Sequence, residues 1–179
     1  DGDFQDKRFV DIINNDLANT IGNLLNRTSS MSRKWFENKV PNNVKLTGTS
    51  ELASLSKITV EKYINNFNAY KLDLASTDIL NLAIKTNLYL NDKQPWILIK
   101  QESKIPLVKE IIYDVLESTR IIGLLLLPLL PELSAKIDEQ LGFKYKKESP
   151  WLDQLEWGLL NQSSELPNPK PIINKLEYE

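Results

Sequence analysis

The 179 residues contain no cysteine and no histidine. The first absence excludes disulfide staples, zinc-thiolate sites and a cysteine nucleophile, and it fits a reducing compartment. The second excludes an imidazole base, a Ser-His-Asp relay and every His-ligated metal. Glycine is scarce, with 6 residues at wide spacings, so neither a phosphate-cradling loop nor a dinucleotide-binding glycine fingerprint can be built. A basic excess is missing too: 22 Lys and Arg against 24 Asp and Glu leave a formal charge of -2 and a pI near 5.4. That balance disfavours a protein that coats duplex DNA or an anionic membrane, although a small local RNA site stays open. The longest apolar run, residues 121–130, is far short of the roughly 20 residues a bilayer needs, and Gly123 and Pro128 interrupt it. No catalytic residue and no metal ligand is expected, and the partners expected exclude membrane and DNA.

What remains is a globular composition, 41% hydrophobic and 26% charged, in a length that fits one compact domain or a domain with a short appendage. The chain opens Asp1-Gly2-Asp3-Phe4, acidic where a secretory signal would be basic and then apolar, and it lacks a start methionine. It is therefore expected to be a piece of something longer. Leu and Ile far outnumber Val, and apolar positions recur at three and four, which predicts an all-α fold. The expected architecture is an antiparallel helical bundle of about five helices with an extended C-terminal tail. Residues 1–145 would form the bundle and residues 146–179 an appendage that packs back on it or on another domain.

The periodicity predicts a helix over about residues 5–30, burying Val10, Ile13, Leu17, Ile21, Leu24 and Leu25, with Ile12 as an apolar exception on the polar side. Residues 35–49, with Pro41 and Gly48, read as a loop. A second helix is predicted over residues 51–68 on Leu52, Leu55, Tyr63, Ile64 and Phe67. A third is predicted from an N-cap at Ser76 or Thr77 to about Asn91, burying Leu80, Ala83, Ile84 and Leu88. Val108, Ile111, Ile112, Val115, Leu116, Ile122 and Leu126 form the longest stripe, the central core helix, with Lys109, Glu110, Asp114 and Glu117 turned outward. Pro128 and Pro131 end it, and Leu133, Ile137 and Leu141 continue in one more helix stopped by Gly142. Beyond that point order is expected to decline, apart from a short helix through Leu155 and Leu159.

Two features have the chemistry for a site. Asn19, Asn23 and Arg27 recur every four residues, which aligns three hydrogen-bonding side chains along one helical face able to meet a planar ligand edge. By spacing alone, an ordinary solvated face is the favoured reading of the same line. Trp96 follows Gln94-Pro95 at a break between helices, where an indole either stacks on a base or simply packs under Ile97, Leu98 and Ile99. Trp35, Trp151 and Trp157 read as loop or tail anchors. Lys93, Lys100 and Lys104, near Trp96, are candidates for phosphate contacts or plain solubilising charges.

Several stretches, in order, resemble one family. Asp1-Gly2-Asp3-Phe4, Asn15-Asp16-Leu17-Ala18-Asn19 and Gly22-Asn23-Leu24-Leu25-Asn26-Arg27-Thr28 resemble the start of the anticodon-binding domain of methionyl-tRNA synthetases. Asn87-Leu88-Tyr89 with Gln94-Pro95-Trp96 is similar to that family's Asn-x-Tyr and Gln-Pro-Trp stretch. Leu127-Pro128, Leu130-Pro131-Glu132 and Gln140-Leu141-Gly142 resemble its later helices, and residues 171–177 its closing segment, with Ile173, Asn174 and Lys175 standing where the family has Phe, Pro and Arg.

The resemblance implies a bundle that reads the CAU anticodon of methionine tRNA. Trp96 would stack on the first anticodon base, and Asn23 and Arg27 would hydrogen-bond base edges. A separate catalytic domain of the parent, absent here, would activate methionine with ATP in the cytoplasm; this piece would be non-catalytic, hold no cofactor, and have the tRNA anticodon loop and that catalytic domain as partners. The alternatives are the anticodon-binding domain of another class I synthetase, or a helical protein-protein interaction module that binds no RNA.

Overall fold

The computed structural model describes residues 18–168, 170 and 172. Val10, Ile12, Ile13, Leu17 and the segment 173–179 lie outside the described residues, as does the side chain of Asn19. The regular elements of the described chain are helices, in the order α1 (Ala18–Trp35), α2 (Glu51–Asn68), α3 (Leu72–Lys93), α4 (Pro95–Leu98), α5 (Ile105–Leu126) and α6 (Pro131–Leu141), with short 3-10 turns at Glu102–Lys104 and Leu152–Leu155. Among the described residues the only β-type pairing is an isolated antiparallel bridge between Lys39 and Glu165.

Each boundary has a local cause. Ser50 caps α2, its hydroxyl accepting from the Ala53 N–H at 3.2 Å. A three-residue turn with Tyr70 at φ 59 reverses the chain into α3. Gln94, also left-handed at φ 47, ends α3, and Pro95 starts α4 from the first helical position. Gly142 ends α6 at φ 64, where an added Cβ would also lie 3.0 Å from the Glu165 carbonyl oxygen. At Gly123 an added Cβ would come within 2.8 Å of Ile137, so α5 and α6 approach as closely as they do because that residue has no side chain.

The central helix is α5, buried continuously from Ile111 to Leu126. Cross-links set the direction of its neighbours. Thr86 and Ser118 hydroxyls meet at 2.8 Å, and Tyr89 reaches Asp114, so α3 runs antiparallel to α5. Asn87 donates to the Thr20 carbonyl and Arg27 to Asn91, which sets α1 alongside α3 in the same sense. Ile21, Leu24 and Leu25 of α1 and Leu52 and Tyr63 of α2 close the core.

Three expectations need correction. Helix α3 begins at Leu72, not at a Ser76 or Thr77 cap, and buries Ala75, Ile79, Leu82, Ala83, Thr86, Tyr89 and Leu90, while Ile84 and Leu88 are 41% and 54% exposed. Leu and Ile occur on nearly every side of this helix, so its own sequence does not select which side packs. Asp114 and Glu117 are not solvated face charges: they are 7% and 0% exposed. The third concerns residues 143–168, which are ordered against the bundle instead of loosening.

That last correction follows from the second. Glu117 accepts from Arg120 Nη2 at 2.7 Å and from Nε at 2.8 Å, and also from the backbone N–H groups of Gly158, Leu159 and Leu160. Arg120, 2% exposed, also donates to the carbonyls of Gln154 and Glu156 and lies 4.7 Å from the centroid of the Phe143 ring. Buried charges are tolerated only when paired and fully hydrogen-bonded, and here the returning chain supplies the missing bonds. Trp151 anchors the start of the return, its indole N–H donating to the Leu124 carbonyl at 2.9 Å. Further on, Val40 and Ser163–Ser164 exchange backbone bonds, Leu166 N–H donates to Asn38, and the Gln162 side chain satisfies both backbone groups of Val44.

Removing one member of the buried pair should therefore be severe. Glu117→Gln, or Arg120→Met, is expected to lower the unfolding free energy by about 3–5 kcal/mol in urea titration. Replacing both by apolar residues should not restore stability, as it can for a simple buried pair, because the N–H groups of residues 158–160 would lose their acceptor.

Candidate functional site

Arg27 is half-buried on the flank of α1 that meets α3, off the face that buries Ile21, Leu24 and Leu25. Its guanidinium carbon lies 5.6 Å from the centroid of the Trp96 ring, within cation-π range. One of its amino groups donates to Asn91 Oδ1 at 2.9 Å, which holds the planar group at the end of α3. Trp96 is half-buried and packs against the core, positioned by the buried Pro95 and the left-handed Gln94. Asn23 is exposed one helical turn before Arg27 on α1. Arg27 and Trp96, distant in sequence, are thus brought into contact, and Asn23 shares the outward line of Arg27.

Sequence reasoning missed the part played by α3. Asn87 and Asn91, one turn apart, bond to α1 at Thr20 and Arg27 and so hold the two helices in register at the site. The signal was present: their four-residue spacing matches that of Asn23 and Arg27 on the facing helix. Lys93, Lys100 and Lys104 are all exposed; Lys93 lies 5.1 Å from the Tyr89 ring centroid and 3.5 Å from a Glu51 carboxylate oxygen.

Chemically, the arrangement offers an indole and a guanidinium plane in contact. The guanidinium has N–H donors beyond the one given to Asn91, and the Asn23 amide beside it can both donate and accept. Such a surface can stack a flat ring and bond its edge. Among the described residues no cluster of carboxylates is placed to hold a metal, and no helix is long and apolar enough to cross a membrane.

Asp114 of α5 is the buried partner of Tyr89 on α3. The Tyr89 hydroxyl donates to it at 3.4 Å, and burial pushes its carboxyl from 3.8 up to about 6, an effect partly offset by hydrogen bonds from Ser50 and Tyr89. A carboxyl raised in the fold binds its proton more tightly there than in the unfolded chain. Its ionisation therefore removes stability as pH rises from about 4, with the loss complete above about 6. Asp114→Asn should gain on the unsubstituted chain by up to about 3 kcal/mol between pH 4 and pH 7, read as the difference between their chemical unfolding free energies at each pH; a pH-independent difference would contradict this.

Residues 40–179 match the family described as the anticodon binding domain of methionyl tRNA ligase. The methionine-tRNA ligase of Synechocystis sp. is 37% identical over 189 residues, an alignment that covers 99% of this chain and 35% of that protein. That of Lactococcus lactis is 36% identical over 185 residues, covering 100% of this chain and 27% of its own length. In structure, the free-state methionyl-tRNA synthetase of Mycobacterium tuberculosis superposes with a TM-score of 0.82 at 28% identity, over 97% of this chain and 35% of that one. The chain spans about a third or less of the length of these proteins.

Proposed function

Because the chain belongs to the family of anticodon-binding domains of methionyl-tRNA ligases, we propose that it reads the CAU anticodon of methionine tRNA through Trp96, Arg27 and Asn23. The observation that carries this reading is the Arg27 guanidinium over the Trp96 indole at 5.6 Å, a planar donor stacked with an aromatic platform. Unpaired loop bases are recognised by splaying them onto aromatic or guanidinium planes and bonding their Watson-Crick edges. That mode needs few groups and no basic surface, so a chain of net charge -2 can use it.

The division of labour follows from the chemistry. Stacking on the indole grips any base and is worth about 1–3 kcal/mol. Discrimination falls to Asn23 and Arg27, whose donors and acceptors are left unpaired when the wrong base edge arrives. Asn91 keeps the guanidinium in place, so Arg27 enters the encounter already oriented. In the complete ligase, a catalytic domain outside this chain would join methionine to the tRNA with ATP in the cytoplasm; this chain would contribute recognition and no cofactor chemistry.

In the full-length ligase, Trp96→Ala is expected to lower the kcat/KM for charging methionine tRNA by about tenfold or more, the kinetic equivalent of the stacking energy. Methionine-dependent ATP-pyrophosphate exchange, which needs no tRNA, should hardly change. Equal losses in both assays would make Trp96 a packing residue.

A further inference from the structure

We propose that a second RNA subsite, for the loop strand that runs on from the base held at Trp96, lies in the groove between the end of α1 and the start of α5. The proposal rests on the anticodon reading of Trp96 and Arg27. The groove encloses about 350 Å³ and is bounded by Trp35 and Phe36 on one side and by Ile105 and Lys109 on the other. It lies along α1 from the first site: eight residues separate Arg27 from Trp35, an axial step of about 12 Å. From the other side, α4 and one 3-10 turn lead directly from Trp96 to Ile105.

The lining suits a nucleotide strand. Trp35 and Phe36 are half-exposed, with ring centroids 6.4 Å apart and planes at 82°, so two aromatic faces of different orientation border one cleft. Single-stranded nucleic acid is held by such faces together with cations that track its phosphates. Lys109 donates to the Asn42 amide oxygen at 2.7 Å and so is positioned at the groove without spending its charge on a carboxylate. Lys39, on the facing wall, lies 3.7 Å from Glu37, a single exposed carboxylate that a phosphate could displace. Arg33 and Lys34 are also in the last turn of α1 but outside the groove's lining, Arg33 donating to Asn168. The lining holds two lysines against one glutamate in a chain whose overall charge is negative, and this points to an anionic strand as the occupant.

The groove is also held in shape. Its floor is the loop pinned by the C-terminal return, with Val40 and Ser163 bonded backbone to backbone at 2.9 Å, so the cations do not depend on the RNA to be gathered.

The test uses the full-length ligase and a hairpin RNA with a CAU loop, titrated across a KCl series beside a hairpin of scrambled loop sequence. Loss of one phosphate contact by Lys109→Gln should reduce the slope of log K against log salt by about 0.7 and weaken both hairpins by about the same factor, threefold or more. Lys109→Arg should restore the slope. Trp96→Ala should instead erase the preference for CAU. If Lys109→Gln leaves slope and affinity unchanged while Trp96→Ala abolishes the preference, the groove proposal is overturned and the anticodon reading survives. If Trp96→Ala keeps the full preference, the anticodon reading fails and takes the groove proposal with it. Should Lys109→Gln lower the melting temperature, Lys39→Gln on the opposite wall carries the same test.

Discussion

A carboxylate and a guanidinium in the middle of α5, both nearly devoid of solvent contact, stay charged only while every lone pair and N–H around them is used. Glu117 and Arg120 cannot satisfy this between themselves. The balance is supplied by backbone groups of residues 154–160, which obliges the chain to come back along α5 after α6 has ended. Once returned, the next residues pair with 38–44 and fix the loop after α1. The position of Trp35, Phe36 and Lys39 is thus set by a charge pair well away from them in the sequence. Polar satisfaction, more than apolar area, determines the shape of that end of the molecule.

At the recognition end the constraint is different. Helices α1 and α3 lie side by side, and two Asn side chains on α3 tie them together at successive turns. This register delivers Arg27 to Trp96. A break in α3 is needed to place the indole, and Gln94 provides it by adopting a left-handed conformation ahead of Pro95. The site therefore sits on rigid elements, with the flexible degrees of freedom of an arginine removed by one hydrogen bond and one aromatic face. A negative overall charge is compatible with this because the affinity comes from stacking and edge pairing, with cations needed only locally.

Much of the helical framework was legible. Helix α2 occupies the expected residues 51–68, the α5 stripe is buried as its period requires, and Gly142 ends α6. Period finds the stripe, although α5 is buried on its other sides as well from Ile111 to Leu126. It failed on α3, where Leu and Ile point several ways and the buried side was chosen by Thr86 and Tyr89 reaching Ser118 and Asp114. It failed again at Asp114 and Glu117, since a charge on a helix reads as solvated unless its partners are known, and the partners of Glu117 include backbone about forty residues away. Of the site, Asn23, Arg27 and Trp96 were candidates by spacing and position and took their roles from the resemblance of short motifs, while the spacing of Asn87 and Asn91 was visible but had no stated purpose.

Local information in the chain determined which segments are helices, where glycine and proline stop them, and which chemistries are unavailable for want of cysteine and histidine. Those properties depend on residues within a turn or two of one another. The tertiary structure alone decided which side of α3 is buried, that two charges belong in the core, and that Arg27 meets Trp96 beside a cleft made from α1, α5 and the C-terminal return. Each of these is a contact between segments far apart in sequence, chosen by which polar groups can satisfy one another at distances no periodicity encodes.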